Sequence, residues 1–103
     1  MEEIRSEVLA FAQAMETVLR KHDDRDGWEN CGLHWLFDRV KGEFKEAEEK
    51  WDEKNFNGDY DSVSEELIDV ANFCMMFWGN TQRYYHREFH LNHPPVHKIR
   101  RHP

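Results

Sequence analysis

Between Leu67 and Trp78 the chain is apolar on almost every side. Ile68, Val70, Ala71, Phe73, Cys74, Met75, Met76 and Phe77 leave only Asp69 and Asn72 polar. A helix of that make-up has to be covered from several directions. The rest of the 103-residue chain offers material for two more amphipathic helices and no room for a second core. Three helices leave part of this segment uncovered, so the expected fold is an all-α antiparallel helical bundle completed by oligomerisation, as a homodimer or homotetramer. Only three prolines and five glycines interrupt the chain, which agrees with long helices. Although 34% of residues are charged, 14% are aromatic, too much apolar mass for a disordered chain.

Charge is divided unevenly. Residues 1–82 hold 9 Lys and Arg against 20 Asp and Glu, a net of −11, whereas residues 83–103 hold 5 against 1, a net of +4. An acidic body repels a nucleic-acid backbone, so nucleic acid is not an expected partner. It also repels free nucleotides, so phosphate chemistry here needs cations that reverse the local sign. No apolar run approaches the roughly 20 residues that cross a bilayer. Met1-Glu2-Glu3-Ile4-Arg5 lacks a basic segment followed by an apolar one, and Cys31 and Cys74 stand alone. The expectation is a cytoplasmic protein with free thiols, no signal peptide and no membrane contact.

Periodicity sets the organisation. Ile4, Val8, Phe11, Met15, Val18 and His22 form one seam and predict a helix from about Glu2 to His22. After a polar stretch ending at Gly27, Leu33, Leu36, Val40, Phe44, Ala47 and Trp51 predict a second helix from about Cys31 to Lys54. Asn55–Asp59 is a loop. Ser62 and Glu65 have capping-box spacing, so the third helix is expected to open there and to continue to about Phe89, with a break near Gly79-Asn80. Residues 1–89 form the helical domain. Residues 90–103, with Pro94-Pro95 and many His and Arg, form a basic tail. His86, His90, His93, His97 and His102 have no accompanying Cys or acidic ligands, which favours a solvated tail over a metal site.

Four acids carry the chemistry. Glu43 and Glu46, then Glu66 and Asp69, are two pairs at a spacing of three, so each pair projects from one helical edge. Both pairs lie beside or inside apolar stripes, where an uncompensated charge is costly. Two carboxylates about 5 Å apart repel by roughly 3 kcal/mol at an effective dielectric near 20, before any loss of hydration. No Lys or Arg of the third helix lies within four residues of Glu66 or Asp69. Four hard oxygen donors suit Mg²⁺, or Mn²⁺, carrying phosphate oxygens. A di-iron site is excluded, because no Glu has a His three residues later.

At these residues the chain resembles the MazG-type all-α nucleoside triphosphate pyrophosphohydrolases. Their E-x-x-E and E-x-x-D pairs on successive helices match Glu43/Glu46 and Glu66/Asp69, with 19 residues between Glu46 and Glu66. The runs Leu36–Glu46 and Glu65–Met76 are similar to the family's two acid helices. Lys21-His22-Asp23-Asp24-Arg25-Asp26-Gly27-Trp28 is similar to a segment of small phage and microbial members. Gly42 departs from the pattern, since many relatives carry Glu there.

The resemblance implies Mg²⁺-dependent hydrolysis of a nucleoside triphosphate, with dATP or dGTP the first substrates to consider, to the monophosphate and pyrophosphate. Glu43, Glu46, Glu66 and Asp69 would hold the metal, and Glu46 or Glu43 would orient or deprotonate the attacking water. Four further residues are candidate substrate contacts. Lys21 could meet phosphate or be a solvated helix end. Trp28 could stack on a base or cap the bundle. Asn72 could touch the nucleotide or face a neighbouring helix, and Arg83 could reach phosphate across a dimer. Rival readings are a helical nucleotide sensor without turnover, or an adaptor using its basic tail.

Overall fold

The structure, a computed structural model, describes residues 3–23, 27–52 and 54–85. It is all-helical. Helix α1 spans Ser6–Arg20, α2 spans Leu33–Lys50 and α3 spans Tyr60–Tyr85, with a single 3-10 turn at Trp28–Asn30 before α2. The expected tail, residues 90–103, lies outside the described residues, as does any continuation of α3 to Phe89. No helix among the described residues is long and apolar enough to cross a membrane.

Helix α3 is the spine. It packs along α2 as an antiparallel hairpin, takes α1 against a second side and meets the 3-10 turn near its end; α1 and α2 do not pack on each other. Ring contacts hold the hairpin in register. Trp35 meets Phe73 edge-on at 6.5 Å between centroids, and Phe37 meets Phe77 at 5.6 Å. The Arg39 guanidinium lies 5.0 Å from the centre of the Phe73 ring.

Three expectations about the elements are corrected. First, the second helix stops at Lys50 rather than Lys54. Asp52 folds the chain back by accepting from the Lys54 amide at 3.1 Å and from the Asn55 side chain at 2.9 Å. Trp51, Phe56 and Tyr60 then clasp the turn, with centroids 4.8 and 4.9 Å apart along the chain of three rings. Gly58 supplies the φ of +88° that this turn needs.

Second, Ser62 does not open α3. The helix starts at Tyr60, and Asp59 takes the capping position by accepting the Ser62 amide at 3.0 Å. A carboxylate competes well for that amide and lies three residues earlier. Third, α3 runs unbroken through Gly79-Asn80. Asn80 is fully buried, and its amide donates to the carbonyls of Trp28 and Cys31, both at 3.0 Å, while its oxygen accepts from Arg83. That anchorage offsets the helix-weakening glycine beside it.

The second helix also turns differently from its apolar stripe. Its buried residues are Leu36, Glu43 and Ala47, while Phe44 and Trp51 stand exposed. Phe44 and Trp51 lie one residue past Glu43 and Lys50, so this rotation brings an acid to the hairpin's interior. On α3, Leu67, Cys74 and Trp78 share one face at helical spacing and are exposed, Trp78 at 66%. This is the uncovered strip expected of a three-helix chain.

Candidate metal centre

The hairpin brings its two acid pairs face to face. One carboxylate oxygen each from Glu43, Glu46 and Glu66 lies within 4.8 Å of the others. Asp69, one turn beyond Glu66, stands within electrostatic reach of both Glu46 and Glu43. All four residues singled out by their spacing therefore share one locality.

Their environments differ. Glu43 is only 7% exposed. Burial raises its carboxyl to about 7, helped by the hydrogen bond that its protonated form donates to Glu46 and by charge repulsion from Glu46, and opposed by Arg39. Arg39 Nη2 donates to Glu43 Oε1 at 2.6 Å, one helical turn earlier on α2. Burial also raises Asp69, with Glu46 and Glu65 adding repulsion and His22 and Lys50 relieving part of it. Glu46 faces solvent. Glu66 Oε1 lies 3.5 Å from Lys50 Nζ, whereas its Oε2 is buried without a hydrogen-bond partner among the described residues.

A divalent cation fits this donor set. The ligand atoms are hard carboxylate oxygens, the kind that Mg²⁺ and Mn²⁺ prefer. Oxygens bound to one Mg²⁺ lie about 3 to 4.2 Å apart, so the trio would have to close inward to grip an ion. A cation held there would offset the repulsion that adds to burial in raising Glu43 and Asp69.

The candidate substrate contacts fare less uniformly. Asn72 is 3% exposed and donates to the Met15 carbonyl at 3.3 Å, so its amide ties α3 to α1. Its Oδ1 is buried without a hydrogen-bond partner among the described residues. Trp28 is half-buried, and its carbonyl is held by Asn80, which lies about 16 Å along α3 from Asp69. Arg83 lies about 21 Å along α3 from Asp69, and its guanidinium donates to Asn80. Within one chain, then, the main chain at Trp28 and the Arg83 side chain are not brought to the acids. Lys21 is exposed at the end of α1, next to His22, whose charge Asp69 feels.

Two site cations escaped the sequence reading, Arg39 and Lys50. That reading weighed basic residues on the third helix, but both come from α2. Spacing marks Arg39, four residues before Glu43 on α2, whereas Lys50 meets Glu66 across the hairpin.

Among known proteins, the chain is similar to a protein of Archaeoglobus fulgidus described only as uncharacterized. The two are 32% identical over 68 residues, which cover 66% of this chain and 69% of the relative. The chain belongs to the same family as that archaeal protein. No family model matches the chain, and no solved structure matches it.

Proposed function

We propose that this protein is a Mg²⁺-dependent nucleoside triphosphate pyrophosphohydrolase of MazG-like type. The observation that carries this reading is the convergence of Glu43, Glu46 and Glu66, with Asp69 beside them, where one Glu66 oxygen is buried without a partner among the described residues. The resemblance of both acid helices to that family supplies the reaction. A water oxygen adds to one side of the α–β phosphoanhydride bond, that bond breaks, and nucleoside monophosphate and pyrophosphate leave.

Glu43, Glu46 and Glu66 would hold the metal, with Asp69 beside them as a fourth carboxylate. Mn²⁺ can replace Mg²⁺ in such an oxygen site. When bound, the metal supplies charge neutralisation for the triphosphate and a more acidic water. Glu46, the solvent-facing member of the trio, also orients or deprotonates the water. Glu43 must lose its proton for the site to fill, so cation uptake below pH 7 releases protons. A second copy of the chain covers the Leu67, Cys74 and Trp78 strip, giving a homodimer or a homotetramer.

The test is a panel of deoxynucleoside and nucleoside triphosphates, beginning with dATP and dGTP, incubated with the protein and Mg²⁺ while pyrophosphate is measured. Release that Asp69→Asn abolishes is expected. Nucleotide binding without release would instead support a sensor, and no binding at all would sink both nucleotide readings.

A further inference from the structure

We propose that Lys50 is the centre's built-in counter-ion, an ammonium that a divalent cation displaces from Glu66 and that then turns to the incoming phosphate oxygens. This rests on the metal-dependent reading above and adds to it a residue that neither the acid pattern nor the resemblance marks. Lys50 is the last residue of α2, where the hairpin turns. Its Nζ lies 3.5 Å from Glu66 Oε1 and donates to Ser62 Oγ at 3.3 Å. Its side chain is 41% exposed, against 14% for Glu66, so the ammonium reaches inward over the acid from the solvent edge.

Both contacts are long. Arg39, by contrast, grips Glu43 at 2.6 Å. The looser cation is the exchangeable one, a compact charge on a flexible four-carbon stem. It neutralises Glu66 without satisfying it, because Oε2 remains buried without a partner among the described residues. A divalent ion that takes Glu66 sets like charges a few ångströms apart, and the ammonium has to withdraw. Ser62 lies one turn before Glu66 on α3 and keeps the withdrawn lysine at the rim. Phosphate oxygens arriving with the metal restore an anion there, and a charge-assisted hydrogen bond replaces the lost ion pair.

Lys50→Met therefore has effects of opposite sign on two ligands. Titration of the full chain with Mn²⁺ alone, followed by the electron paramagnetic resonance signal of the free ion, should give binding about tenfold tighter than wild type. With Mn²⁺ held saturating, inorganic tripolyphosphate should bind about tenfold more weakly by calorimetry. Lys50→Arg should restore tripolyphosphate binding, and Lys41→Met, which removes a lysine paired with Asp38, should change neither affinity. Unchanged Mn²⁺ affinity in Lys50→Met, an equal change in Lys41→Met, or undiminished tripolyphosphate binding would overturn the assignment. If wild type itself binds Mn²⁺ no better than Asp69→Asn, the metal reading fails and Lys50 falls with it. If wild type exceeds Asp69→Asn but matches Lys50→Met, only the lysine assignment fails.

Discussion

Glu43→Gln should stabilise the metal-free protein at alkaline pH and do nothing for it at low pH. Glu43 is buried, and its carboxyl holds a proton to about 7 against an ordinary value near 4.5. Between those values the folded chain binds more protons than the unfolded chain, so stability falls as pH rises. The contribution is complete below pH 4.5 and lost once the pH passes about 7. Ionised Glu43 then costs the fold about 3 kcal/mol, after the Arg39 ion pair has been counted in its favour. Glutamine keeps the shape and the acceptor for Arg39 but never ionises.

Thermal melts in chelator at pH 5 and pH 8 measure this directly. The variant should match wild type at pH 5 and melt well above it at pH 8, since each kcal/mol moves the midpoint of a domain this size by about 4–8 °C. A smaller downward slope should survive in the variant, because Asp69 is raised by burial in the same direction. Added Mg²⁺ should then reverse the order, raising wild type far more than the variant. A variant no more stable than wild type at pH 8 in chelator would refute the claim that Glu43 is a strained buried acid.

Two further outcomes test the fold apart from the centre. Asn80→Ala removes a buried side chain that donates to the Trp28 and Cys31 carbonyls and accepts from Arg83. It should cost about 2–4 kcal/mol in denaturant melts while leaving Mn²⁺ affinity unchanged. Asp59→Ala removes the acceptor for the Ser62 amide and should cost about 1 kcal/mol, whereas Ser62→Ala, the cap expected from the capping-box spacing, should cost less in the same assay.

The helices were legible because long 3.6-residue periodicities survive any detail of packing. The acids were legible for a related reason, since a spacing of three fixes both members of a pair to one edge whatever the partner helix does. What escaped was the rotation of α2 about its axis. Phe44 and Trp51 belong to the apolar stripe on paper, yet the hairpin buries Leu36, Glu43 and Ala47. Apolar weight alone places the stripe's centre, whereas the fit of Trp35 and Phe37 against Phe73 and Phe77 decides which residues face inward. Gly79-Asn80 was misread because asparagine beside glycine signals a break locally. Its hydrogen bonds come from residues about fifty positions away, and no local rule contains them. Lys50 was overlooked for the same kind of reason, since its partner Glu66 sits on the other arm of the hairpin.

The hook formed by Asn80 has a practical corollary for anyone trimming this chain. A fragment ending just after the acid helices, at Trp78 for instance, would retain every carboxylate of the centre. It would nonetheless release the crossover at Trp28–Cys31, whose carbonyls that asparagine ties down, and with it the segment that leads into α2. The smallest useful piece of the molecule is therefore set by a side chain well outside the reactive region.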